Sequence, residues 1–303
     1  MTNDMFLNPA KTTFFSSDFK VGAAYRNQWQ TVSVSGYNTY LLTAEAKLYK
    51  SRRYRQSLGI GIGLARDVAG SLQFGQRNIF ASLAYNKQIK KSNNQFIAAG
   101  IQIGNTNWSY DISNADFGQS ESDKEGILLS RFSVFDLSAG LHWQMDIKEE
   151  NTIAAGIALF HMNEPALSFY DNSEVKLKKR FTSYLSWMMP TSENTGIKLL
   201  VLSSFQNDNY EITTGADIVY NLSRTMVDTE AIGLGLYFRS NDAIILSPYY
   251  QYNSLTAGLS YDINISGLSA ATKTYGALEL WLSYGFNISG YRKQIKSIPC
   301  PTF

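Results

Sequence analysis

No run of 18 apolar residues occurs in the 303-residue chain, so no transmembrane helix is encoded. Barrels stay open, because a barrel strand needs only about 9–11 residues and turns half of them toward a polar lumen. Proline is scarce, at six residues, which suits long strands, since each proline removes a ladder donor. The one cysteine, Cys300, permits no internal disulfide and reads as a free thiol in a tail. Two histidines, His142 and His161, leave little material for a closed metal site or a Ser-His centre. A Gly-x-Ser-x-Gly elbow is missing, and no glycine-rich loop leads into Lys-Ser/Thr and a helix, which removes phosphate cradling. The formal charge of +2 excludes a nucleic-acid partner recruited by bulk charge. Met1-Thr2-Asn3-Asp4 lacks a basic then apolar leader pattern. A chain bound for an outer membrane needs such a leader, so its removal or omission is expected here.

What the chain has is alternation. In residues 277–286, Leu278, Leu280, Leu282, Tyr284 and Phe286 share one parity, while Ala277, Glu279, Trp281, Ser283 and Gly285 share the other. A strand with one apolar and one polar face follows. Comparable segments span 18–31, 37–49, 57–66, 78–89, 95–108, 132–146, 152–160, 180–189, 196–205, 210–222, 231–239, 243–252 and 255–263. A soluble sandwich uses such a strand once or twice; about fourteen of them predict a transmembrane antiparallel up-and-down β-barrel. Phe19, Val21, Ala23 and Tyr25 are assigned to lipid, and Lys20, Gly22, Ala24, Arg26 and Gln28 to the lumen. In 57–66, Leu58, Ile60, Ile62 and Leu64 alternate with Gly59, Gly61 and Gly63, which leave room for bulky neighbours or let the wall bend.

Residues 1–17, with Asn8-Pro9-Ala10 as a turn, read as an N-terminal periplasmic or lumenal segment, 18–286 as the barrel, and 287–303 as a periplasmic tail. No domain boundary or Gly/Ser linker interrupts them. Links after even strands are brief, and the long links (109–131, 161–179, 264–276) follow odd strands. That fits short periplasmic turns and longer extracellular loops, although the links after the ninth and eleventh strands are short too. Tyr25, Trp29, Tyr49, Tyr85, Trp108, Trp143, Tyr210, Tyr220, Tyr237 and Tyr284 lie near strand ends, where interfacial girdles belong.

Parity places Lys20, Arg26, Glu45, Lys47, Asp136, His142, Lys198, Glu211, Asp217, Arg239, Asp262 and Glu279 inside. The mixed signs predict a mutually satisfying ion-pair network rather than a selectivity filter, which would favour one sign at one depth. His142 shares its face with Asp136, but one histidine per site does not make a hydrolase, so no catalysis is expected. The basic run from Lys50 through Arg52 and Arg53 to Arg55 reads first as a solvated turn against headgroups, and second as a dock for an acidic partner.

Several short motifs resemble the PorP/SprF family of Bacteroidetes outer-membrane proteins. They are Asn8-Pro9-Ala10, Tyr25-Arg26-Asn27-Gln28-Trp29, His161-Met162-Asn163-Glu164-Pro165, Arg239-Ser240-Asn241-Asp242-Ala243, Gly258-Leu259-Ser260-Tyr261-Asp262 and Gly276-Ala277-Leu278-Glu279-Leu280. Cys300-Pro301-Thr302-Phe303 ends the series. Met162 stands where the family has Leu, and Ala277 where it often has His, so no His–Glu pair is carried over. The resemblance implies a non-catalytic barrel without cofactor, in the outer membrane of a Gram-negative cell. It would belong to the type IX secretion and gliding machinery and contact outer-membrane lipid. Its partners would be the C-terminal secretion domain of cargo adhesins and periplasmic secretion or motility subunits. The alternative is an outer-membrane porin or small-hydrophobe transporter.

Overall fold

A computed structural model describes residues 4–28, 36–51, 55–70, 73–90, 94–110, 131–148, 151–169, 174–224, 229–267 and 269–287. The alternating segments form strands β1 (Phe19–Gln28), β2 (Tyr37–Ser51), β3 (Gln56–Ala69), β4 (Phe74–Lys90), β5 (Gln95–Ser109), β6 (Arg131–Lys148) and β7 (Asn151–Phe160). They continue as β8 (Arg180–Pro190), β9 (Thr195–Gln206), β10 (Asn209–Arg224), β11 (Thr229–Arg239), β12 (Ala243–Tyr252), β13 (Leu255–Asn264) and β14 (Tyr275–Phe286). Each pairs antiparallel with its sequence neighbours, and β14 returns to β1, so the sheet is a closed fourteen-strand barrel among the described residues. Tight hairpins end on residues that tolerate positive φ, such as Asn207 (52°) and Asn253 (53°). At the closure, Arg26 stands opposite Glu279, and Asp18 N donates to Asn287 Oδ1 at 2.9 Å.

The faces are inverted relative to a soluble fold. On β14, Leu278, Leu280 and Leu282 are 45%, 51% and 44% exposed, while Ala277 and Trp281 are 4% and 8%. Leu42, Ile62, Ile101, Leu185 and Leu236 are each more than half exposed, whereas Thr43, Glu45, Ser82, Asp136, His142, Asp217 and Asp262 are buried. An apolar belt this continuous needs hydrocarbon around it.

Both β1 and β14 meet the termini at one end of the ring, here called the terminal end; the opposite end is the far end. Outward aromatics collect toward both. Tyr49, Tyr85, Trp187, Tyr220 and Tyr284 mark the terminal end; Tyr25, Tyr40, Phe181, Phe205 and Tyr210 mark the far end. Two aromatics assigned to these girdles belong inside. Trp108 shares the inward parity of β5 and its indole nitrogen is buried. Tyr237 turns inward to donate to Asp217 at 2.5 Å. Proximity to a strand end does not fix the face; parity does. Trp29, Cys300 and the tail beyond Asn287 lie outside the described residues.

The ladder also departs from strict alternation. Register shifts occur between Lys47 and Tyr49, Gln88 and Lys90, Asp146 and Lys148, and Asn221 and Ser223 close to the terminal end, and between Asp262 and Ile263 close to the far end. Each extra residue re-aims those that follow. On β2 the bulge leaves Leu48 and Tyr49 both outward, and Lys50 falls opposite the buried Ser57.

Replacing outward Leu280 by Arg is expected to cost about 2–4 kcal/mol at the bilayer midplane. Glu279→Gln should cost clearly less, because Arg26 keeps Asp262. Refolding titrations into phospholipid vesicles measure both; equal losses would contradict the facing described.

Candidate functional site

The lumen is organised by a segment read above as a turn ahead of the wall. Asp4–Leu7 is a short helix, α1, and Pro9–Thr13 is a 3-10 helix that starts at Asn8. The local chemistry is legible: Asn8 Oδ1 accepts from Ala10 N at 2.9 Å, and Pro9 occupies a first-turn position where a missing N–H costs nothing. The segment does not lie outside the barrel. It is packed inside, with Met5, Asn8, Ala10, Thr12 and Thr13 almost wholly buried. Asn8 Nδ2 donates to the carbonyls of Leu141 (2.8 Å) and Ile157 (3.0 Å), a directly opposed pair on β6 and β7. A carbonyl has two lone pairs, so the ladder and the plug can share these oxygens. Thr12 Oγ1 bonds Pro9 O (2.7 Å) and Ser82 Oγ (2.8 Å).

This contact explains the inward glycines. A Cβ at Gly100 would strike the backbone of Pro9 and Ala10; one at Gly140 would strike the Asn8 amide; one at Gly61 would strike Met5. Glycine there allows backbone to approach backbone. Asp4 fixes the outer turn of the plug by pairing with Lys11 and with Lys20 (3.0 Å), which also reaches Glu45 (3.3 Å). Burial alone would raise the Asp4 carboxyl, but the two lysines outweigh it and hold the group well below the usual carboxylate range.

The other half of the lumen holds an ionic cluster on one arc of the wall, from β1 through β14 and β13 to β11, brought together by the closure of the ring. Arg26 Nη2 donates to Asp262 Oδ2 at 2.7 Å and Nη1 to Glu279 Oε2 at 3.3 Å. Arg239 Nη1 donates to Asp242 (2.7 Å) and to the same Asp262 oxygen (3.2 Å), and Glu211 stands 3.9 Å from its Nε. Arg26, Arg239, Asp262 and Glu279 border a cavity of about 300 Å3 with Lys198, Asp217, Tyr237, Tyr249 and Trp281. Lys198 approaches Asp217 at 3.8 Å.

The remaining inward residues go elsewhere. Lys47 Nζ donates to Phe15 O and lies over its ring. His142 and Asp136 share a face but do not meet. Asp136 pairs with His161 at 2.9 Å, while His142 meets Tyr184 Oη at 2.5 Å and Phe14 edge-on at 4.1 Å. His161, at φ 57°, begins the turn after β7; Asn163 there accepts from Leu137 N (3.0 Å) and donates to Phe135 O (2.7 Å). Pro165 O accepts from Leu177 N at 2.9 Å, next to an antiparallel bridge between Ala166 and Lys176. Tyr25 and Asn27 both donate to Asn38 Oδ1, Gln28 pairs with Ala277, and Tyr261 stands opposite Leu278 on the outer face. Among the described residues no group of three His, Cys, Asp or Glu side chains could hold a metal.

Asp4, Lys11, Tyr184 and Tyr249 escaped the sequence reading. The available signal was the inward glycines of β3: Phe80 of the wall fills the space at Gly63, but Gly59 and Gly61 are covered by Thr12, Thr13 and Met5 of the plug.

A closed wall, apolar outside and packed inside with its own folded segment and paired charges, defines an outer-membrane β-barrel. The likeness to solved structures shows the same architecture. The TodX monoaromatic hydrocarbon channel, as a deltaS2S3 mutant, matches at TM-score 0.58 and 10% identity over 95% of both chains. The Ralstonia pickettii toluene transporter TbuX matches at 0.57 and 11% identity over 92% of both. No curated protein matches. The family described as type IX secretion system membrane protein PorP/SprF matches residues 1–284, and the chain belongs to that family.

Asn8→Ala removes both donations to the wall and is expected to weaken plug docking by about 1–3 kcal/mol. Faster amide hydrogen exchange in residues 9–15, with the barrel amides unchanged, checks it. The Asp4 pairing contributes stability at neutral pH, because its folded pKa is depressed. Protection of the plug should therefore persist at pH 5, fade only as pH falls below about 4, and be reduced at every pH by Asp4→Asn.

Proposed function

We propose that this outer-membrane protein is a non-catalytic docking barrel of the type IX secretion machinery. Its far mouth receives the C-terminal secretion domain of cargo adhesins, and its terminal end meets periplasmic secretion subunits. One observation carries this reading: the lumen is occupied by the chain's own first helices, while the far mouth offers an aromatic shelf with a short antiparallel bridge, Ala166 to Lys176, beside it. In the shelf, Trp108 lies 5.8 Å from Phe74 and 6.4 Å from Phe132, and Phe169 meets Phe132 (4.6 Å) and Tyr110 (4.9 Å). Beside it, Leu167 N donates to Val175 O (2.7 Å), and Val175 is 56% exposed. Rigid aromatics are what a β-rich domain packs on. Membership of the secretion family supports the same assignment.

The alternative is a porin or small-hydrophobe transporter. Shared architecture with hydrocarbon channels favours it, but at about 10% identity that likeness speaks for the fold alone. The ionic lining of the lumen argues against an apolar path.

Co-purification from native membranes tests the proposal. Secretion subunits and a cargo C-terminal domain are expected to be recovered with the wild-type barrel, and Trp108→Ala with Phe169→Ala should reduce cargo recovery at least severalfold. Recovery of the barrel alone, with secretion unchanged on deletion, would overturn it. In planar bilayers the wild-type barrel should pass little current, and removal of residues 4–13 should raise it; ready conductance by the intact chain would favour the porin.

A further inference from the structure

The terminal mouth of the barrel opens into a pocket of about 690 Å3 that the plug floors with Thr13, Phe14, Phe15 and Ser16. This is within the size range of sites that bind ligands. Its chemistry differs from the rest of the lumen, where the charges are paired. Lys47, Lys50 and Arg55 all line it, against a single carboxylate among the described lining residues, Asp146. That carboxylate is already engaged by Gln144 (2.9 Å) and Thr152 (3.1 Å). Phe96 adds an aromatic wall opposite the plug's phenylalanines.

The cationic lining is built by the β2 bulge. With strict alternation Lys47 and Lys50 would face opposite sides of the sheet. The register shift between Lys47 and Tyr49 inserts an extra residue, and Lys50 then stands opposite buried Ser57, on the lumen side with Lys47. Arg55 closes the turn at φ 43°, its Nη1 held by Asn94 Oδ1 at 2.7 Å. Three cations from one hairpin thus surround a concave aromatic floor.

We infer that this mouth binds an acidic peptide segment of a soluble protein on that side of the membrane. Lipid headgroups fit less well, because Ser57, Asn86 and Gln144 in the lining carry the inward parity, and acyl-anchored phosphates remain outside the wall. The carboxylates of the segment would meet Lys50 and Arg55 at the rim, and its apolar side chains would lie on Phe15 and Phe96. The identity of the occupant as a secretion subunit rests on the proposed docking role; the site itself does not.

The test uses the full-length barrel in zwitterionic-lipid nanodiscs and a fluorescein-labelled oligoglutamate peptide ending in phenylalanine. Anisotropy should report binding that weakens as salt rises, with Lys50→Glu plus Arg55→Glu lowering affinity about tenfold or more. Lys50→Arg plus Arg55→Lys should restore it, and Lys178→Glu plus Lys179→Glu at the far end should leave it unchanged. Heat-modifiable gel mobility verifies that each variant is folded. Equal binding of an oligolysine peptide, wild-type affinity in the double Glu variant, or no binding at all would overturn the inference. Abolition of binding by anionic lipid in the nanodisc would also overturn it and assign the cations to headgroups. Undiminished co-purification of secretion subunits with the double Glu variant would sink this site as their dock while leaving the docking role itself intact.

Discussion

Hydrocarbon offers no partner to a backbone N–H or C=O, so a spanning sheet must satisfy every one of these groups within itself. The β1–β14 closure meets that demand, and the other features follow from it. A closed ring obliges each strand to present one side outward for its full height, which is why Leu278, Leu280 and Leu282 are exposed in series while their neighbours are buried. It also creates an interior that has to be filled. Polar side chains alone would leave the middle of a fourteen-strand ring wet.

The chain fills one side of that interior with its first helices and the other with paired charges. The two solutions use opposite residue types. Beneath the plug the wall is reduced to Gly61, Gly100 and Gly140, which make room for the Met5 side chain, the Pro9–Ala10 backbone and the Asn8 amide in turn. Across the lumen the wall carries Arg26, Arg239, Asp262 and Glu279, long groups that reach each other over the gap. A charge buried in that space is tolerable only with its partners present, and Asp262 serves two arginines at once. The two mouths then diverge: an aromatic shelf stands at the far end and a cationic pocket at the terminal end.

The wall was legible because its signal is local and redundant. Ile232, Leu234 and Leu236 against Gly233 and Gly235 state both the strand and its facing, and hairpin pairing follows from sequence order. Strand limits drifted where regular pairing runs past the alternating stretch, as on β4, which begins at Phe74 rather than near residue 78. The site was legible only as a shared face. Parity puts Arg26 and Glu279 in the same lumen, but their opposition depends on which strands close the ring. Asp136 and His142 show the limit of that logic. They share a face of one strand, yet each takes its partner from another element. The plug's place stayed open between periplasm and lumen because Asn8-Pro9-Ala10 specifies a local bend or cap equally well inside or outside a barrel. Its burial is written in glycines 50 to 130 positions away. The Leu48 bulge has no signature in the residues themselves.

The link between plug and wall is short. Only five residues, Phe14 to Asp18, separate the end of the 3-10 helix from the start of β1. Fully stretched they reach at most about 17 Å. The plug is therefore on a leash: if it leaves its glycine seat it can swing only as far as its own doorway. It remains a nearby obstacle rather than a lost part, and its return is a unimolecular step, independent of protein concentration.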